Sequence, residues 1–201
     1  MPQEPPHTPP EISPEAAPEA DDGDADQPPP AAGIRVDVSD TQNHFRPGFG
    51  AVESLVTRAL KVEGVQAAEI SVVIVDDATI RRINRDHLGH DWATDVVTFP
   101  LSGPDDDELS GEIVVSAQTA TTVARDEGVP VWNELILYIV HGLLHLRGLD
   151  DTTDAARAVM RRREGEVLAA LGLTNTYRAG PDAASVSNAA GTPRGESTWP
   201  V

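Results

Sequence analysis

The sequence predicts an α+β domain in which a small mixed sheet packs against helices, with one apolar helix at its centre. Three observations carry this reading. Short β-branched runs dominate the first half of the chain, longer helical periodicities gather in the second, and the most apolar of those helices carries two histidines four residues apart.

The elements follow in order. Ile34 to Val38 alternates apolar and polar residues and reads as a strand, and from Phe49 to Lys61 the residues Val52, Leu55, Val56 and Leu60 recur at helical spacing. Ile70-Ser-Val-Val-Ile-Val75 reads as a largely buried strand. Asp76 or Asp77 then caps a helix containing Ile80, Ile83 and Asn84, which Gly89 ends. Thr94 to Phe99, closed by Pro100, reads as a short strand, Asp105-Asp-Asp-Glu108 as an exposed loop and Gly111 to Ser116 as a further strand. Helices are predicted from Gln118 to Glu127, from Pro130 (a favoured first-turn proline) to Arg147, and from Thr153 to Leu171, the last with an apolar stripe of Val159, Met160, Val167, Leu168 and Leu171.

The folded part is therefore expected at 34–175. Residues 1–33 hold eight acids, no Lys or Arg and little that is apolar beyond alanine; such a stretch cannot bury enough surface to offset backbone ordering and reads as a disordered, Pro-rich acidic tail. Residues 176–201 read as a flexible tail. The net charge of −18 divides as −8, −10 and zero over these three parts, so the domain itself is acidic, which argues against a general nucleic-acid binder with a basic face. Two local clusters, Arg81/Arg82/Arg85 and Arg157/Arg161/Arg162/Arg163, read either as contact patches or as solvated helix faces.

Without cysteine the chain has neither disulfides nor thiolate metal sites. Its start shows no basic stretch followed by an apolar one, and its longest apolar run falls short of the roughly 20 residues a bilayer requires. A soluble, cytoplasmic protein with no membrane partner is expected.

The run His141-Gly-Leu-Leu-His-Leu-Arg-Gly-Leu-Asp-Asp151 carries the chemistry. On a helix, positions i and i+4 share a face, so His141 and His145 can turn their rings toward one ion. Gly148 can end the helix in a left-handed turn and bring Asp151 back toward the rings, where the start of the next helix favours a carboxylate. Three protein ligands leave a coordination position for water or substrate, the mark of a catalytic rather than a structural zinc site. The competing reading is a pair of satisfied core histidines. Leu135, Ile136, Leu137, Ile139, Val140, Leu143, Leu144 and Leu146 surround them, and burying an unpartnered imidazole there costs about 1–3 kcal/mol, which a metal would relieve for both at once.

With these residues in place, the chain resembles the YbeY family of metal-dependent endoribonucleases. The family's His-Gly-x-Leu-His-Leu-x-Gly-Tyr-Asp-His run is followed at Gly142, Leu144, Leu146, Gly148 and Asp150. Asn84, Gly89-His-Asp91 and Thr94-Asp-Val-Val-Thr-Phe-Pro100 resemble its Pro-Thr-Asp-Val-Leu-Ser-Phe-Pro segment, Gly111-Glu-Ile-Val-Val-Ser116 its Gly-Asp-Ile-x-Ile-Ser strand, and Met160, Glu164, Leu168 and Gly172 its terminal helix. The resemblance spans residues 70 to 172. It implies a zincin-like fold and a single-strand-specific metallo-endoribonuclease acting in 16S rRNA 3′-end maturation and ribosome quality control. Ribosomal RNA, the small ribosomal subunit and ribosome-assembly proteins would be its partners.

Two positions depart from the family pattern. Its third ligand is usually His, whereas position 151 is Asp; a carboxylate binds zinc at about 2.0–2.2 Å, so one Zn²⁺ ion stays the first expectation, with another, harder divalent transition metal next. Where many members have Arg, this chain has Leu88, which leaves a phosphate-binding role vacant or passes it to Arg85 or His90. No side chain is assigned as nucleophile, that part falling to metal-bound water.

The same motif also resembles metzincin peptidases, but those place Glu directly after the first His, and Gly142 offers no acid or base. A third reading is a non-catalytic, metal-stabilised ribosome-assembly factor. Among the remaining residues, Glu134 lies about 10 Å along the helix from His141 and reads as a buried structural acid, while Tyr138 sits on the stripe that faces the pocket. Arg147 either meets phosphate or pairs with Asp150 or Asp154, Asp95 and Thr98 fix the strand edge and loop, and Trp92 either stacks on a base or packs.

Overall fold

The computed structural model describes residues 33–173; all of the expected acidic tail except Gly33, and the whole of the expected C-terminal tail, lie outside the described residues. The order is β1 (Ile34–Asp40), α1 (Phe49–Val62), β2 (Ala68–Val75), α2 (Asp77–Leu88), β3 (Val96–Pro100), β4 (Leu109–Ser116), α3 (Ala117–Glu127), α4 (Val131–Leu146) and α5 (Asp154–Leu171). The α+β reading holds.

The four strands form one mixed sheet in the order β1-β2-β4-β3. β1, β2 and β4 run parallel, with α1 as the crossover between the first two, and β3 closes one edge antiparallel to β4. An edge is where Pro100 is tolerated, since its missing N–H interrupts no inner ladder.

The sheet is covered on two sides. On one, α1, α4 and α5 enclose the main core, to which Val52, Leu60, Ile70, Ile113, Leu135, Leu143, Met160 and Leu168 belong; on the other, α2 seals a smaller cluster of Val75, Ile80, Val97 and Val114, with Leu88 and Phe99 packed against it. Leu88 is thus committed to packing. The stripe expected on α5 needs one correction: Val159 is 45% exposed, and the buried positions are Met160, Glu164, Val167, Leu168 and Leu171. Val159 is a single residue before Met160, about 100° round the helix, and so faces solvent.

Side chains cap the helices as their sequences suggest. Asp76 accepts from the Thr79 amide, Ser116 from Thr119 and Thr153 from Ala156, satisfying amides that a first turn leaves without partners. α1 and α4 are the exceptions, entered through Gly48 and Pro130, and α4 is buried on nearly every side between the sheet and the flanking helices. Two glycines let it lie close against the sheet. A Cβ on Gly142 would lie 2.9 Å from Ile113 Cγ2, and one on Gly111 2.6 Å from Leu146 Cδ2.

Candidate metal centre

α4 sets His141 and His145 one turn apart, with rings at 88° and centroids 4.5 Å apart, so that their Nε2 atoms meet at 3.0 Å. The helix then stops as Gly148 predicts. Gly148 takes φ 84°, its amide bonds to the His145 carbonyl and the Leu149 amide to the Leu144 carbonyl, the pair of bonds that closes a left-handed C-terminal turn. The turn has a second effect, because it carries the Leu149 carbonyl to 3.0 Å from His145 Nδ1.

Beyond it, the Asp150 side chain accepts from the amides of Asp151 and Thr152 and from the Thr152 hydroxyl, bonds that lower its pKa. Arg157 donates to the Asp151 and Thr152 carbonyls. Held between these, Asp151 places Oδ2 3.8 Å from His141 Nε2 and Oδ1 3.9 Å from His145 Nε2. It precedes the cap of α5 by two residues.

The far side of each imidazole is also anchored. His141 Nδ1 lies 2.6 Å from Oε1 of Glu164, a side chain with no exposure at all, and the carbonyl at His145 Nδ1 can only accept. Both Nδ1 atoms therefore carry protons and donate, which turns the lone pairs of both Nε2 atoms toward each other. Asp151 Oδ1, buried and, among the described residues, without a hydrogen-bond partner, faces the same spot. Two facing lone pairs and an orphaned carboxylate oxygen make an electron-rich hollow that a cation satisfies. Taking one ligand atom from each residue, all three lie within 4.8 Å of one another, close enough to share one ion. The three residues fit one divalent ion, and Glu164 and the Leu149 carbonyl are the outer partners that such ligands need.

A proton competes for the same place. Burial opposes charge on His141, but the Glu164 carboxylate at its Nδ1, with Asp95 and Asp151 nearby, outweighs this and raises its pKa. His145 moves the other way, lowered by burial and then by the charge of His141. Two pH dependences of opposite sign follow. In the metal-free protein, the stability from His141 is fully present below its unfolded value near 6.5 and is lost as pH rises through its higher folded value. Metal binding needs both Nε2 atoms unprotonated, so affinity falls as pH is lowered through that folded value. Thermal melts of metal-free and metal-loaded protein across pH 5 to 9 should converge at the acid end; curves running parallel throughout would contradict this.

Glu164 was not legible as part of the site, although an acid inside the apolar stripe of α5 signals a buried partner. Glu164→Gln keeps the shape and removes the charge. It is expected to weaken metal binding about 10- to 100-fold in competition with a chromophoric chelator; unchanged affinity would show that the contact is only packing.

The other predicted residues lie as follows. Arg85 is exposed and paired with Asp86 at 2.9 Å, and His90 stacks on Trp92. Arg147 is exposed and, among the described residues, forms no ion pair; Asp154 pairs with Arg157 instead. Ion pairs also engage Arg81, Arg162 and Arg163, so much of both arginine clusters is a solvated, paired face. Glu134 and Tyr138 are buried. Asp95 caps its own strand, accepting from the Val96 amide and the Thr94 hydroxyl, whereas the Thr98 hydroxyl is buried, has no hydrogen-bond partner among the described residues and is directed at Gly142.

Comparison with known proteins places this arrangement among relatives. The family model described as Endoribonuclease YbeY matches residues 38–172. Endoribonuclease YbeY of Pelotomaculum thermopropionicum is 42% identical over 135 residues, covering 62% of this chain and 89% of that protein. The protein of the same name from an Anaeromyxobacter species is 45% identical over 130 residues, covering 63% and 68%. That of Carboxydothermus hydrogenoformans is 34% identical over 139 residues, covering 69% and 92%.

Proposed function

This chain belongs to the endoribonuclease YbeY family, and on that premise we propose that it is a metal-dependent endoribonuclease that cuts single-stranded RNA at His141, His145 and Asp151. The observation that carries the reading is the hollow between two Nε2 lone pairs and an unpartnered carboxylate oxygen. His141, His145 and Asp151 would hold a divalent ion, which would supply a lowered pKa for a water and polarisation of a phosphoryl oxygen. The chain's own residues do the rest. Glu164 and the Leu149 carbonyl fix both imidazoles in the tautomer that leaves Nε2 free, and Asp151 supplies a negative ligand that offsets part of the ion's charge.

We take zinc as the resident ion and ribosomal RNA, reached on the small ribosomal subunit in the cytoplasm, as the substrate, with 16S rRNA 3′-end maturation and ribosome quality control as the setting. A peptidase is disfavoured by contact as well as by chemistry. The position that carries the general base in those enzymes is Gly142, and the sheet fills the space a side chain would need. Leu88 keeps one rival open, a metal-stabilised assembly factor that binds ribosomal particles without cutting, since its side chain packs in a small apolar cluster and brings no cation to phosphate.

Purified protein and an RNA with structured and unstructured stretches separate these readings. Cuts confined to unstructured RNA, lost with chelator and restored by Zn²⁺, are expected, with casein untouched. Docking on ribosomal particles without cutting would favour the assembly factor, and chelator-sensitive casein hydrolysis the peptidase.

A further inference from the structure

We propose that Trp92, braced by His90, is a stacking platform for one base of the single-stranded substrate, placed beside the metal centre; this rests on the endoribonuclease reading above. Trp92 is 51% exposed, yet both its ring and its carbonyl are engaged. Its ring lies 4.5 Å from the His90 ring at an interplanar angle of 14°, a parallel stack that covers one face. The backbone on both sides is clamped. Buried Asn84 donates to the Trp92 carbonyl at 3.0 Å, and Arg81 holds Asp91 through two bonds of 2.9 and 3.0 Å. The side chain thus spends little conformational entropy on meeting a flat partner, the condition under which an exposed aromatic binds well.

Position and charge point to a nucleobase. Trp92 stands four residues, about 14 Å of chain at most, before β3. The next residues, Val96 and Thr98, face Gly142, the neighbour of His141 in α4. The loop therefore runs into the strand that backs the turn of α4 carrying His141, within the reach of a short single-stranded segment. The domain carries a charge of −10, Arg81 and Arg85 are already paired, and Leu88 is packed, so of the cations on α2 Arg82 alone, among the described residues, has no ion-pair partner. Stacking needs no charge and accepts any base, whereas a paired base in a duplex has its faces covered.

The test uses metal-loaded full-length protein and short oligoribonucleotides, with binding and cleavage measured separately. Trp92→Ala and Trp92→Leu are expected to raise Kd and KM for unstructured RNA about 5- to 150-fold, the factor one base–aromatic stack contributes. Trp92→Phe should recover much of this, and thermal stability and metal content should stay near wild type in all three. The deficit should be the same at low and high salt, unlike that of a phosphate contact. Trp92→Ala with wild-type Kd, or Trp92→Leu performing as well as Trp92→Phe, overturns the platform even if RNA is cut. Wild-type protein that binds oligonucleotide through Trp92 but does not cut it retains the platform and overturns the nuclease reading. Failure of wild-type protein to bind single-stranded RNA overturns the platform directly.

Discussion

His141→Ala is expected to abolish RNA cleavage and metal retention together and to lower the melting temperature by roughly 10 °C. The two losses have separate causes. Removing one of three ligands forfeits the several kcal/mol of transition-state stabilisation that a bound ion supplies, a factor of about 10³ or more in rate. The stability loss comes from Glu164, which is fully buried and, among the described residues, already has one oxygen without a partner and loses the one group that holds the other. Removing one member of a buried pair costs about 3–5 kcal/mol because the remaining charge is left uncompensated. Adding Glu164→Leu should therefore recover part of the melting temperature and none of the metal or the activity. A double variant no more stable than His141→Ala would locate the stability loss elsewhere.

Gly142→Glu, the substitution that restores the peptidase motif in writing, is expected to unfold the domain or strip its metal rather than confer peptidase activity. The first added carbon would meet Ile113 Cγ2 at 2.9 Å, Thr98 Oγ1 at 3.1 Å and Val96 Cγ2 at 3.3 Å. α4 must then lift from the sheet, and a carboxylate enters the core beside an unpartnered hydroxyl. Gly142→Ala separates the terms. It gains about 1 kcal/mol of helix propensity against an overpacking cost of about 1–3 kcal/mol, so a small net loss is expected in thermal melts. A Gly142→Ala protein more stable than wild type would mean that the helix and sheet yield more easily than their contact implies.

These two residues also show what the sequence makes legible. His141, His145, Gly148 and Asp151 lie within eleven residues, so helical spacing and one left-handed turn are enough to bring them together, and the structure places them so. Glu164 pairs with His141 across 23 positions and Gly142 meets two different strands, relations that depend on how the helices lie on the sheet and leave no local periodicity. Strand positions were readable from β-branched runs for the same local reason; the parallel pairing of β1, β2 and β4 and the antiparallel edge were not. Trp92 shows the remaining limit. An aromatic in a polar loop can pack or project, and only the clamps from Asn84 and Arg81 decide that it projects.

The central claim is that one ion on these three ligands carries the cleavage. Its most direct test is to titrate metal into metal-free protein while following bound metal and RNA cleavage in the same samples, for wild type and Asp151→Ala. Wild-type activity should rise in proportion to bound metal and level off at one ion per chain, with Asp151→Ala nearly flat. Cleavage by the metal-free protein, or an Asp151→Ala curve that follows wild type, would contradict the claim.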